Sequence, residues 1–201
     1  MEKIVIASNN KGKIKEIKEI LPEYELLSLN EANVDIEVEE DQPTFEKNSQ
    51  KKAKEIAEHV KLNCLSDDSG ICIDILQGWP GVYTARFLGE DASQDERNSH
   101  ILEKMKDYQG EDRAARVVCC ISYYDYKAKK VTSCEGVIKG RIALEKRGEN
   151  GFGFDEIFEL PNGKTLAELS QEEKNNVSAR KLALNMMKAE LAKKKQCDLE
   201  R

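Results

Sequence analysis

Leu65-Ser66-Asp67-Asp68-Ser69-Gly70-Ile71 sets two adjacent carboxylates among the apolar runs of this 201-residue chain. Apolar segments flank it, Cys64-Leu65 before and Ile71-Cys72-Ile73 after, and both read as strand segments. Two adjacent carboxylates at the end of a buried strand must be solvated, hydrogen-bonded or neutralised by a cation, because an ionised carboxylate in an apolar setting is costly. Asp67 and Asp68 are therefore the first candidates for metal or catalytic chemistry. Gly78-Trp79-Pro80-Gly81 follows as a turn, with Trp79 read as packing rather than as a binding platform.

Toward the N-terminus, the apolar run Ile4-Val5-Ile6-Ala7 leads into Ser8-Asn9-Asn10-Lys11-Gly12-Lys13, after which Ile14, Ile17, Ile20 and Leu21 recur at helical spacing. The pattern predicts strand, loop, helix. Such a loop sets backbone N–H groups, amides and ammonium groups at a helix N-terminus, where the dipole favours anions. It can cradle phosphates, although the P-loop spacing is absent and a polar strand-to-helix turn explains the same residues. Pro22 ends the helix, residues 24–29 read as a strand, and Val34-Asp35-Ile36-Glu37-Val38 alternates as a half-buried strand should. Glu37, Glu39, Glu40 and Asp41 form an acidic cluster, in isolation a solvated strand end. Beside Asp67 and Asp68 it gains interest, because magnesium is held by one or two carboxylates together with waters and phosphate oxygens. From Pro43, expected in the first helical turn, a lysine-rich helix carries Phe45, Ala53, Ile56, Ala57 and Val60 on its apolar face; Lys52 alone reads as a surface charge.

Toward the C-terminus, Ser93 caps a helix bearing Ile101, Leu102 and Met105. Residues 114–124 and 131–142 are strand-like around a turn-like 125–129, a hairpin that implies an antiparallel lobe. In Gly151-Phe152-Gly153-Phe154-Asp155, aromatic rings between glycines suit either stacking on a planar base or a core turn. Ser170-Gln171-Glu172-Glu173 matches a capping box, and residues 179–195 form a lysine-rich amphipathic helix.

Composition narrows the function classes. The net charge of -6 argues against broad nucleic-acid binding, which needs a basic surface to displace counterions. Six cysteines (Cys64, Cys72, Cys119, Cys120, Cys134, Cys197) show no zinc-like spacing and read as reduced core residues. His59 and His100 are isolated on helical stretches, which disfavours a catalytic or metal-bound histidine. No segment approaches the roughly 20 apolar residues of a membrane span, so the cytoplasm is the expected compartment. Length favours one domain, residues 1–201, with 179–201 as C-terminal helix and tail.

Taken in order, Ile6-Ala7-Ser8-Asn9-Asn10-Lys11-Gly12-Lys13, Phe45-Glu46-Lys47-Asn48, Lys52-Ala53, Ser66-Asp67-Asp68-Ser69-Gly70, Pro80-Gly81-Val82-Tyr83-Thr84-Ala85-Arg86, Gly151-Phe152-Gly153-Phe154-Asp155-Glu156-Ile157-Phe158 and Lys164-Thr165-Leu166-Ala167-Glu168-Leu169-Ser170 through Arg180 resemble the XTP/dITP diphosphatase family, also called inosine triphosphate pyrophosphatases. The resemblance runs from about residue 3 to about residue 190. It implies a homodimeric α/β protein with an elongated, twisted mixed sheet flanked by helices, and two lobes with a nucleotide cleft between them. It implies magnesium-dependent hydrolysis of inosine, deoxyinosine and xanthosine triphosphates to the monophosphate and pyrophosphate. By motif position, Ser8, Asn9, Asn10, Lys11, Gly12 and Lys13 hold the triphosphate and Lys52 contacts phosphate. Glu40 and Asp68 serve the metal and the attacking water, with Asp67 in a supporting electrostatic role. Ser69, Phe152, Gly153, Phe154, Asp155, Lys174 and Arg180 meet substrate, the last six of these around the base. The family's Ser-His-Arg is here Ser178-Ala179-Arg180, so a histidine that reads the purine is replaced by Ala179, and Phe154 stands where tyrosine is usual. A weakened preference for ITP over GTP follows. A purine triphosphate sensor without turnover and an aspartyl phosphatase are the rival readings.

Overall fold

The computed structural model describes residues 2–89 and 91–199; the side chains of Gln171, Asn175 and residues 197–199, and with them the expectation for Cys197, lie outside the described set. The elements are β1 (Lys3–Ile6), α1 (Lys11–Ile20), β2 (Glu25–Ser28), α2 (Phe45–Val60), β3 (Asn63–Ile73), α3 (Gln94–Lys104), β4 (Ala114–Asp125), β5 (Lys130–Ile142), β6 (Phe158–Glu159), α4 (Gln171–Val177) and α5 (Ala179–Leu199). The strands form one six-stranded sheet in the order β2-β1-β3-β4-β5-β6. β1 is parallel to both β2 and β3, and β6 is antiparallel to β5, so the sheet is mixed and the fold is α/β. No helix among the described residues is long and apolar enough to cross a membrane.

The chain divides into two compact units, and β3, β4 and β5 contribute residues to both. The first comprises residues up to Asp68, Cys119–Gly136 and the chain from Arg180 onward. Its core forms because the apolar stripe of α2, Ala53, Ile56 and Ala57, packs with Val5, Cys64 and Tyr124. Thr44 caps α2 by accepting from the Lys47 N–H at 3.1 Å, and Lys61 closes it in the left-handed region at φ 57°.

The second unit comprises Ser69–Val118 and Val137–Ala179. Ile71, Ile73, Ile101, Met105, Ile142, Phe158, Leu166 and Leu169 build its core, with Trp79 and Phe154 packed against them. Trp79 meets Phe87 edge-on at 4.9 Å between ring centroids, in keeping with a packing role. Arg113 is buried and donates to the carbonyls of Ile142 at 2.7 Å, Met105 at 2.5 Å and Tyr108 at 3.1 Å. Those bonds satisfy a guanidinium that burial alone would penalise. Ser170 forms the capping box expected of it, and Ser93 caps α3 as expected and does so within a capping box with Glu96.

Three local expectations need correction. Residues 34–38 carry no strand. Val34, Ile36 and Val38 do pack on the first core, so the alternation reported one-sided burial but not a hydrogen-bonded neighbour. Pro43 lies before the cap Thr44 and outside the first helical turn. Asp67 and Asp68 do not end a strand: β3 runs unbroken from Asn63 to Ile73 and carries them mid-length. A strand can continue through two carboxylates here because each has found side-chain partners.

Candidate active site

Alternation along β3 sends Asp67 and Asp68 to opposite faces of the sheet. Ser66 and Asp68 meet α2, through a bond from the Ser66 hydroxyl to the Ser49 carbonyl and one from Asn48 Nδ2 to Asp68 Oδ2 at 2.9 Å. Asp67 meets cations from α1 and α5. Its Oδ2 lies 2.9 Å from Lys13 Nζ and 3.3 Å from Arg180 Nη2, and Arg180 Nη1 also bonds Glu16 Oε2 at 3.0 Å.

These partners give the two carboxylates different acidities. Burial pushes Asp67 upward, but Lys13, Arg180 and Lys52 outweigh it and hold the carboxyl well below the usual range. For Asp68 burial wins. Together with the negative charge of Glu40 it overcomes the pull of Lys52 and the Asn48 hydrogen bond, raising the group to about 6. Arg180 is held above its ordinary value, since Asp67 and Glu16 outweigh the desolvation that would lower it.

Lys52 joins the acidic loop to β3. Its Nζ lies 2.5 Å from Glu40 Oε1 and 2.6 Å from the Asp67 carbonyl oxygen. Burial alone would ease loss of its proton, but the charges of Asp67, Glu40 and Asp68 hold its pKa above the ordinary lysine value. Next to it on α2, Lys51 bonds Asp41 Oδ1 at 2.8 Å and the Glu39 carbonyl at 2.9 Å. The acidic cluster is therefore clamped to a helix and is not a freely solvated strand end.

Around α1, Asn10 is the cap, and its Oδ1 accepts from the N–H groups of Gly12 at 3.0 Å and Lys13 at 3.2 Å. Ser8 Oγ accepts from the Asn10 N–H at 3.1 Å. The backbone donors of Gly12 and Lys13 are thus met internally, and positive charge at this loop comes from the Lys11 and Lys13 side chains. Asn9, Lys11 and Gly12 are exposed.

In the second unit, Asp155 Oδ2 accepts from the Phe152 N–H at 2.7 Å and from Lys174 Nζ at 2.5 Å, and that ammonium sits 4.6 Å from the centre of the Phe152 ring. Phe152 is 50% exposed, whereas Phe154 packs on the core. Phe154 thus takes the core reading of this loop, and the Phe152 ring is open to solvent. Asn98 donates to the Gly153 carbonyl at 3.0 Å and anchors the loop from α3. Ser69 follows Asp68 on β3, and Ala179 is buried at the start of α5.

Within the first unit the structure gathers Lys13, Glu40, Lys52, Asp67, Asp68 and Arg180; within the second, Phe152, Gly153, Asp155 and Lys174. Arg180, expected beside the base, has two carboxylates as partners. Asn48 and Glu16 escaped assignment in the sequence. The spacing of Asn48 and Lys52, four apart on one helix face, was the available signal. Among the described residues no group of three or more His, Cys, Asp or Glu side chains gathers as a metal centre. Glu40 and Asp68, two oxygen donors that repel one another, fit a small hard cation completed by water and phosphate oxygens.

Residues 4–190 match the model of the Ham1 family. A curated relative from Clostridium perfringens (strain 13 / Type A), named dITP/XTP pyrophosphatase, is 42% identical over 95% of this chain and 98% of its own length. One of the same name from Staphylococcus aureus (strain MRSA252) is 40% identical over 96% and 97%. The solved structure of the Staphylococcus aureus Ham1 protein superposes with a TM-score of 0.89 at 39% identity, covering 96% of this chain and 100% of that one. A HAM1 protein from Coxiella burnetii gives a TM-score of 0.89 at 37% identity, with the same coverage. The family match and these near-full-length likenesses, in sequence and in fold, make the chain a member of the Ham1 family.

Proposed function

We propose that this chain is a nucleoside triphosphate pyrophosphatase that hydrolyses dITP, XTP and ITP to the monophosphate and pyrophosphate with magnesium. The observation that carries the reading is the position of Lys52, bonded to Glu40 Oε1 at 2.5 Å and to the carbonyl of Asp67 at 2.6 Å, with Asp68 next on the strand. Two carboxylates and an ammonium held together by a strand, a loop and a helix suit phosphoryl chemistry, in which catalysis is largely charge placement. The names of the relatives point the same way.

Asp68 orients a water and accepts its proton as the oxygen attacks the α-phosphorus. The bond from that phosphorus to the bridging oxygen breaks, and pyrophosphate leaves. Lys52 and Lys13 stabilise the charge that develops on the departing oxygens. Glu40 and Asp68 are the residues that would hold magnesium, which would neutralise charge on the phosphate oxygens. Phe152, Asp155 and Lys174 are assigned to the purine. A homodimer in the cytoplasm belongs to the same reading.

The test is a panel of ITP, dITP, XTP, GTP and ATP with magnesium present or chelated, measuring pyrophosphate and orthophosphate separately. Stoichiometric pyrophosphate that requires magnesium is expected. Orthophosphate with a phospho-enzyme would favour the aspartyl phosphatase, and binding without product the sensor.

A further inference from the structure

We propose that Asn48 is a positioning residue that fixes the proton acceptor Asp68 and the Glu40-bearing loop in one register; the inference rests on the pyrophosphatase reading above. Asn48 is fully buried, and both ends of its amide are engaged. Nδ2 donates to Asp68 Oδ2 at 2.9 Å, and Oδ1 accepts from the Gln42 N–H at 2.9 Å. One planar group thus ties the catalytic strand to the acidic loop.

The residue type is dictated by that double duty. Aspartate accepts but cannot donate when ionised, and leucine does neither. Serine does not span both partners. Asparagine inside a helix is less favourable than alanine or leucine, so its presence here is explained by its side-chain bonds and not by propensity. One turn later Lys52 repeats the arrangement, holding Glu40 and the Asp67 carbonyl. Asn48 and Lys52, one helical turn apart, therefore each tie the loop to β3 through α2.

The experiment compares Asn48→Ala with Thr44→Ala. The latter removes the α2 cap and lowers stability without touching either carboxylate. For Asn48→Ala, kcat for pyrophosphate release falls about 100-fold, the cost of misplacing a catalytic group by about an ångström, while KM stays within about threefold. Mn2+ affinity in nucleotide-free protein, read by electron paramagnetic resonance of the free ion, also weakens at least about threefold. Thr44→Ala lowers Tm but keeps kcat and Mn2+ affinity near wild type. If Asn48→Ala does not fold, Asn48→Ser is read in its place. A kcat within threefold of wild type in the Asn48 variant, or an equal loss in Thr44→Ala, overturns the proposal. Should wild type release no pyrophosphate, the pyrophosphatase reading fails, and unchanged Mn2+ affinity in the Asn48 variant then overturns the positioning role separately.

Discussion

Asp67 and Asp68 are consecutive on β3 and face opposite sides of the sheet, Asp67 toward Lys13 at 2.9 Å and Asp68 toward Asn48 at 2.9 Å. One carboxylate is matched by cations that hold its pKa low, while burial and a repelling glutamate raise that of its neighbour to about 6. Groups of one chemical type with acidities pushed apart can divide labour, one fixing structure and the other moving a proton.

Replacing Asp68 by Asn removes the proposed proton acceptor and leaves the hydrogen-bonding shape. Pyrophosphate release falls by at least about 100-fold, the lower range for loss of a general base, with the far-ultraviolet circular dichroism unchanged. Stability moves the other way. The native pKa of about 6 lies above the ordinary carboxylate value, so the stabilisation that Asp68 provides is full below about pH 4 and is lost as pH rises toward 6. Two pKa units correspond to about 3 kcal/mol at most. In chelator, Asp68→Asn therefore melts higher than wild type at pH 8 and no higher at pH 4. A lower Tm at pH 8 contradicts the assignment.

Asp67→Asn has the opposite consequence. It leaves the buried guanidinium of Arg180 and the ammonium of Lys13 without their shared carboxylate, a loss of about 3–5 kcal/mol for a buried pair. The folded pKa is depressed, so this stability is present above the unfolded value and is lost as pH falls below about 4. Urea unfolding at pH 7 reads the loss directly, and the gap between wild type and variant narrows on acidification. A gap independent of pH would show that Asp67 does not act through its charge.

The first strand, α1, α2, the β4 and β5 runs, the Ser93 cap and the Ser170 capping box were legible because each is a local pattern: a period, a cap or a turn. Residues 34–38 were misread because alternation reports which side is buried and carries no information on whether another strand lies alongside. The unbroken course of β3 through Asp67 was hidden for a related reason. Lys13 and Arg180, which neutralise it, come from positions far away in sequence. The double aspartate itself was legible, since two charges among apolar runs demand explanation. Asn48 was signalled only by its spacing from Lys52, because its role depends on Asp68 and the Gln42 amide, which the fold places beside it.

Gly151 has φ +90°, and a Cβ there would lie 2.2 Å from Asp155 Oδ2 and 2.7 Å from Lys174 Nζ. Gly151→Ala therefore strains the backbone and forces apart the ion pair on which the Phe152 loop rests. The cost is about 1–3 kcal/mol, shared between loop strain and the displaced pair. If the loop binds the purine, KM rises about tenfold with kcat less affected, since the Asp68 group lies in the other unit. Steady-state kinetics on ITP decide it; an unchanged KM removes Phe152 from the purine assignment.

Ala179 is 4% exposed at the start of α5, in the place where the resemblance leads one to expect a histidine. Arg180, the adjacent candidate for reading the base, is bonded to Asp67 and Glu16, which limits its capacity to make up for a missing imidazole. A hydrogen bond to a buried ligand group is worth about 0.5–1.5 kcal/mol, up to about tenfold in discrimination. Ala179→His accordingly raises the ratio of kcat/KM for ITP over GTP by up to about tenfold. The larger side chain at a buried position also costs about 1–3 kcal/mol of stability, so both ratios are taken at a temperature where wild type and variant are fully folded. A ratio unchanged within twofold means that base choice is set elsewhere, and the Phe152, Asp155 and Lys174 group is then the place to mutate.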